Sequence, residues 1–336
     1  LSKALAVIAA LLAVGFLPAC RTVPEGEVTA EVAVEAPPQP QGEFPFELPL
    51  IFKGKPFTDL RQHTFTEVGE DTDPAVSPDG KLLAFASTRH SPQPEIYVKP
   101  VDGRTVVRKT FEPSAEIQPA FSPDGEQIAF ASNLNGNWDI FIIKTGEGAA
   151  RRQVTTADSE DLHPSWSPDG KKLVYCSYSH TQEDWELWIA DLESGGMTNL
   201  GYGGLFPEWS PTGELIAFQR ARDTGQQWFD IWMIRPDGSD PTQVVGTGKW
   251  GAIAPAWSED GARIYFATVP PESQIEAGGL GTGRDIWAAD LSTGARIQLT
   301  SDLTPDWAPA CSADGRVYFC SRRNGFANIW SLLPSM

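Results

Sequence analysis

The chain has 336 residues with 31 Gly, 28 Pro, 12 Trp and 17 Phe. That is too many helix breakers for a bundle and enough aromatic mass for a substantial core, in one large domain or two ordinary ones. The formal charge of −18 repels phosphate backbones and argues against a nucleic-acid partner; plain solubility accounts for the same charge.

Residues 1–19 carry one Lys and then an uncharged run, Ala4–Ala19. The run is shorter than the ~20 residues of a membrane-spanning helix, and small residues precede a cut site, so it reads as an export signal. Cys20 follows Leu17-Pro18-Ala19 and resembles the bacterial lipoprotein processing box, with Pro18 as a departure. That resemblance implies a diacylglycerol on the Cys20 thiol, a second acylation on the freed amine, and a stable anchor, since one chain alone is marginal. Arg21 in place of Asp implies the outer membrane. An ordinary signal peptide with an incidental Cys is the plainer alternative.

Residues 20–56 are acidic and Pro-rich. They read as a tether spanning on the order of 100 Å extended, or ~30 Å as a flexible coil. Within it, Phe44–Phe52 (FPFELPLIF) is apolar enough to dock on the folded domain or on a partner.

From Phe57 to Met336 one phrase recurs: Pro, any residue, an apolar residue, Ser, two residues, Gly, then an apolar strand. Examples are PAVSPDGKLLAFAS (Pro74–Ser87) and PSWSPDGKKLVYCS (Pro164–Ser177). The motif Gly falls at 80, 125, 170, 213, 261 and 315, giving spacings of 45, 45, 43, 48 and 54. A period in the forties with several short strands per unit marks a β-propeller. In Ser-Pro-Asp-Gly, Pro presets φ, Asp bonds the backbone and Gly takes the left-handed conformation. The third strand pairs an acid or Asn with an aliphatic and an aromatic, from Glu95-Ile96-Tyr97 to Asn328-Ile329-Trp330, putting apolar groups on both faces. The fourth strand carries Gln153-Val154-Thr155 or Gln298-Leu299-Thr300. The sixth unit stops after its third strand, and the missing piece stands before the first unit as Gln62-His63-Thr64. The fold expected is therefore all-β: a six-bladed propeller of four-stranded blades, the last closed by the N-terminal strand, which removes the open edges. His63 falls at a strand position and reads as a strand residue rather than a ligand.

These phrases resemble the WD-like repeats of the TolB family, whose six-bladed propeller sits in the bacterial periplasm. The resemblance covers roughly residues 57–334 and rests on the Ser-Pro-Asp-Gly turn with the Asp-Ile-aromatic strand. Similar repeats occur in prolyl oligopeptidase-like propellers and oligogalacturonate lyase-like enzymes. TolB proper has an α/β domain ahead of its propeller, where only the tether is expected here, and is soluble after export. The resemblance implies a non-catalytic, protein-binding envelope module, monomeric, with envelope proteins as partners, among them a Pal-type peptidoglycan-associated lipoprotein. It implies a periplasmic location, tethered by lipidated Cys20. A carbohydrate-binding or lyase-like propeller is the alternative.

The face where the strand-two-to-three and strand-four-to-one loops meet is charged. Asp71, Glu116, Asp161 and Asp306 stand three residues before the repeat's Pro, with Gly204 and Ala252 in the other two units. Arg89, Arg220, Arg222, Arg284, Arg322 and Arg323 lie on neighbouring loops. Two readings stay open. In one, the acids with Arg89, Arg222, Arg284 and Arg323 form a partner-binding channel mouth, Ca²⁺ being its metal version. In the other, carboxylates and guanidinium groups pair between blades as structure. No resident cofactor is expected. Gly279, Gly281 and Gly283 precede a strand rather than a helix, against a phosphate loop. No Gly-x-Ser-x-Gly, His-Glu-x-x-His or Walker pattern occurs, and His63, His90, His163 and His180 spread over non-adjacent units. Cys176, Cys311 and Cys320 cannot all pair within one chain. Trp138, Trp228, Phe229 and Phe326 read as packed blade edges or as anchors.

Overall fold

Each repeat folds around its turn. In blade one the Ser77 hydroxyl donates to Asp79 Oδ1 (2.7 Å), which also accepts the Lys81 amide (3.1 Å). The Gly80 N–H returns to the Ser77 carbonyl at 2.8 Å. Gly80 lies at φ +70°, where a side chain would be strained. These bonds, led by that from Ser77, hold the Asp79 carboxyl down at about 2. The serine–aspartate turn recurs at Ser122, Ser167, Ser258 and Ser312; in the fourth unit Thr212 replaces the Asp.

The computed structural model describes residues 56–146, 150–221, 229–246, 248, 250–270 and 284–335. These form 24 strands in six four-stranded antiparallel sheets, with no helix among the described residues. β1 (Phe57–Gln62) comes first. Blade one is β2 (Asp71–Val76), β3 (Leu82–Ser87), β4 (Glu95–Pro100) and β5 (Val107–Arg108). Blade two is β6 (Glu116–Phe121), β7 (Gln127–Ser132), β8 (Asp139–Lys144) and β9 (Arg152–Gln153). Blade three is β10 (Glu160–Trp166), β11 (Lys172–Ser179), β12 (Asp184–Asp191) and β13 (Met197–Gly203). Blade four is β14 (Leu205–Trp209), β15 (Ile216–Ala221), β16 (Phe229–Ile234) and β17 (Thr242–Val245). Blade five is β18 (Gly251–Trp257), β19 (Arg263–Val269), β20 (Ile286–Asp290) and β21 (Arg296–Gln298). Blade six is β22 (Asp306–Cys311), β23 (Val317–Ser321) and β24 (Asn328–Pro334), completed by β1. The first strands touch one another in a closed circle, β2 to β6, β10, β14, β18, β22 and back to β2. They therefore wall the central channel.

The core lies between blades. Phe85, Phe130, Phe218, Phe266 and Phe319, one in each second strand but that of blade three, where Tyr175 stands, are fully buried, each contributing about 1.5–3 kcal/mol. At the seam between the last and first blades, Leu83, Phe85 and Tyr97 pack on Tyr318 and Ile329. Both blade faces are apolar, as the alternation in the third strand requires.

Ring closure follows the expected partners with a shifted strand end. β1 pairs antiparallel with β24, Phe57 opposite Pro334 and Gln62 opposite Trp330. Regular pairing stops at Gln62 because a side chain takes the next bond: Thr64 Oγ1 accepts the Ile329 amide (2.9 Å) and donates to Asn328 Oδ1 (3.0 Å). The same threonine device ends the outer strands elsewhere, Thr110 on Ile96, Thr155 on Ile140 and Thr300 on Ile286. The Gln-x-Thr phrase thus marks the end of the fourth strand rather than its middle. His63 is buried at this seam, its Nε2 2.8 Å from Ser331 Oγ, and burial pushes its pKa down to about 4.

Candidate functional site

Antiparallel pairing sets each first-strand acid opposite the end of the second strand: Asp71 against Ser87, Glu116 against Ser132, Asp161 against Ser177 and Asp306 against Ser321. The acids are at most 1% exposed, so each needs partners. Ser87 donates to Asp71 (2.6 Å) and Arg89 pairs with it at 2.7 Å. Arg323 Nη2 reaches both Asp306 oxygens, at 2.9 and 2.7 Å. Glu116 takes the Ser114 and Ser132 hydroxyls and has Arg151 at 3.7 Å. Asp161 is held by Ser159 (2.9 Å) and has no arginine among its bonded partners. Burial outweighs these partners: Glu116 is pushed up to about 7 and Asp306 to about 6, despite Arg323. These pairs form within blades, while Arg322 of blade six pairs with Glu70 at the entry to blade one. Gly204 stands at the acid's place in blade four because a Cβ there would lie 2.4 Å from the Phe218 ring.

The arginines complete one motif. The Arg89 guanidinium lies 5.1 and 5.2 Å from the Phe85 and Tyr97 rings, Arg151 5.4 and 5.2 Å from Phe130 and Phe141, and Arg323 5.2 and 5.1 Å from Phe319 and Trp330. Each sits between the aromatics of strands two and three while neutralising the acid of strand one. Of the other residues assigned to the mouth, Arg284 is half-buried beside Arg322, and the Arg284 carbonyl accepts the Asp306 amide. Arg222 and Cys20, with residues 1–55 and the Gly279–Gly283 stretch, lie outside the described residues.

A second ring, one step into the channel, carries no residue-type signature. Asp73, Gln118, His163, Phe206, Ala254 and Ala308 each precede the repeat's Pro and each has φ between +50° and +56°. This conformation is uncommon without glycine, and a following Pro disfavours helical backbone further; it costs on the order of 1–3 kcal/mol per residue. The register shifts at this point in every first strand, a bulge in each blade. The preceding blade secures three of the bulge amides. Asp73 Oδ2 accepts the Gln118 N–H (3.4 Å), Gln118 Oε1 that of His163 (2.9 Å) and Gln219 Oε1 that of Ala254 (2.9 Å). With Gln118 Oε1 accepting, its Nε2 must donate to His163 Nε2 (2.7 Å), leaving the ring proton on Nδ1, 3.4 Å from the Cys176 sulfur. Burial lowers His163 to about 3, so the ring is neutral. Its face meets Phe206, centroids 3.6 Å apart.

The residue after each repeat's Pro is small, Ala75, Ala120, Ser165, Ala256 and Ala310, with Glu208 as the exception. Burial alone raises Glu208 to about 8. The remaining histidines do not converge: His90 bonds the Tyr97 hydroxyl (3.0 Å) and His180 the Asp158 carbonyl (3.0 Å). Cys176, Cys311 and Cys320 are free thiols. Among the described residues no three His, Cys, Asp or Glu side chains are placed to hold a metal. Trp138 is buried, Phe229 half-buried and Phe326 40% exposed; Trp228 lies outside the described residues.

The exposed side chains of this face are mixed, with acids such as Glu67, Asp158, Glu183 and Asp302 beside large apolar groups. Val68, Phe111, Leu134, Leu303 and Phe326, 39–78% exposed, all stand on strand-four-to-one or strand-two-to-three loops around the mouth. A family model for the TolB beta propeller domain matches residues 56–248. The chain belongs to the TolB beta-propeller family. A search of curated proteins finds no match. Among solved structures, TolB from Acinetobacter baumannii is similar at 18% identity and TM-score 0.62, covering 77% of this chain and 65% of that one. A candidate TolB from Agrobacterium tumefaciens gives 23% and 0.58, covering 79% and 91%. Oligogalacturonate lyase from Vibrio parahaemolyticus gives 15% and 0.56, covering 81% and 93%. At these identities the TolB and lyase structures share the propeller fold with this chain.

Proposed function

We propose that this TolB-family propeller is a protein-binding module of the cell envelope, located in the periplasm and held at the outer membrane by a lipid on Cys20. The observation that carries the reading is the division of labour on one face. Three of its four strand-one acids have arginine partners, while Phe111, Leu303 and Phe326 stand out on the surrounding loops. Exposed large apolar groups on a rigid support suit a protein partner. A Pal-type peptidoglycan-associated lipoprotein is the partner that family membership favours. The test is crosslinked capture from envelopes with the wild type and with Phe111→Ser/Leu303→Ser. Capture that survives the double variant refutes the assignment of this face. Acyl-chain mass on the N-terminal peptide, lost in Cys20→Ala, tests the anchor. The carbohydrate reading is supported by the fold likeness to oligogalacturonate lyase; turnover or retention on a glycan array, with no protein captured, would put it first.

A further inference from the structure

Blade five breaks the arginine motif and leaves a cavity in its place. A guanidinium stacks between the strand-two and strand-three aromatics in blades one, two and six, and on Trp232 in blade four. In blade three Met197 occupies that side, its sulfur 3.6 Å from the Tyr175 hydroxyl. The arginines come from three different places in the repeat: two residues past the end of strand two (Arg89, Arg323), at that end (Arg220), and at the start of strand four (Arg151). What recurs is therefore the seat, not the sequence position.

In blade five the corresponding positions are Pro270, Thr268 and Arg296. Arg296 turns to the preceding blade, its Nη1 2.6 Å from the Gly246 carbonyl, and feels the charge of Asp230. Among the described residues no guanidinium stacks on Phe266 or Trp287. Between those rings lies a cavity of about 130 Å³, walled also by Trp250, Thr268, Asp285 and Arg296. Asp285 is 7% exposed; its Oδ2 accepts from Gln298 (2.9 Å) and its Oδ1 is buried with no partner. The strand-one acid that takes the arginine in blades one, two and six is replaced in blade five by Ala252, while Asp306 of the next blade lies near Asp285. Burial and then the nearby Asp306 push Asp285 up to about 7.

We infer that the blade-five cavity is a binding seat for a guanidinium group, supplied by an arginine side chain of the protein partner. The ligand fills the place that sibling blades fill from their own chain, stacked between Phe266 and Trp287 with Asp285 as counter-charge. The inference rests on the protein-binding reading only for the source of the arginine. Recognition of the group itself is tested without any partner, so the two fail separately.

The probe is N-acetyl-L-arginine amide, titrated by calorimetry into the full chain, with the N-acetyl-citrulline amide as a neutral isostere. Saturable one-to-one binding of the arginine probe is expected, with the citrulline probe and Asp285→Asn each weaker by about tenfold or more. Ala252→Asp/Pro270→Arg rebuilds the sibling arrangement and is expected to abolish binding. No saturable heat with the wild type overturns the inference. So does equal binding of citrulline, or full affinity in Asp285→Asn. Should the double variant not fold, the wild-type, isostere and Asp285→Asn measurements still decide.

Discussion

Replacing Glu208 by Gln removes the one ionisable group among the small residues that follow each repeat's Pro. Burial raises its pKa from 4.5 to about 8, with no cation beside it. The folded chain therefore binds this proton more tightly than the unfolded chain. Stability on this account is greatest below about pH 4.5, falls as pH rises through 4.5 to 8, and is flat above. At about 1.4 kcal/mol per pH unit, the cost at pH 7 reaches about 3 kcal/mol, and at pH 9 nearer 5 kcal/mol. Glu208 is only half-buried by surface area, so water makes these upper bounds. Gln keeps the shape and abolishes the charge. Urea unfolding of both proteins from pH 4 to 9 should give equal stability near pH 4 and a progressively more stable variant above. A constant difference across pH, or a variant less stable at pH 8, would show that the ionised carboxylate has a partner and would refute the reasoning.

Deleting residues 57–66 removes β1 and the His63 and Thr64 bonds to blade six, exposing the edge of β24. Aggregation in light scattering or loss of the cooperative melt is expected, and a monodisperse truncated chain with full Tm contradicts it. Arg323→Ala strands the buried Asp306 carboxylate and should cost about 3–5 kcal/mol, most of it recovered in Asp306→Asn/Arg323→Gln; equal losses in urea melts argue against the pair. Burial raises the Cys176 and Cys320 thiols strongly and Cys311 to about 12. Native alkylation at neutral pH should therefore be slow at all three and fast after unfolding; prompt labelling of the native chain contradicts their burial.

The architecture was legible because a period near 45 repeats a turn with its own chemistry. Ser77, Asp79 and Gly80 make their bonds locally, so they mean the same thing in sequence and in space. The strand-one acids were legible as positions but not as roles. Asp71 finds Arg89 eighteen residues away, whereas Glu116 finds Arg151 from the far side of its blade, and no spacing announces both. The bulge ring was less legible still. Asp73, Gln118, His163, Phe206, Ala254 and Ala308 share no chemistry, only the following Pro, and at Gln118, His163 and Ala254 the left-handed backbone is held by side chains of the neighbouring blade. The one available signal was the invariance of that Pro in all six units. The blade-five cavity is defined by side chains that are elsewhere present, so it emerges only when six superposable blades are compared.

The departures from the repeat gather in two adjacent blades. Gly204 and Ala252 lack the acid, Glu208 interrupts the small residues after Pro, and the motif spacings lengthen to 48 and 54. Blades one, two and six have complete acid–arginine–aromatic stacks, though in blade two Glu116 Oε2 and Arg151 Nη1 are buried without a hydrogen bond. A substitution there disturbs buried charge, and stability moves first. In blade five, among the described residues, the same face keeps a buried Asp285 oxygen without a hydrogen bond and an aromatic pair without a stacked guanidinium. Substitutions such as Asp285→Asn should then move binding by more than they move stability. That asymmetry separates a recognition surface from a merely imperfect repeat: an imperfect repeat with no ligand gains stability when Ala252→Asp/Pro270→Arg fills its hole and loses nothing, whereas a recognition surface gains stability and loses its partner.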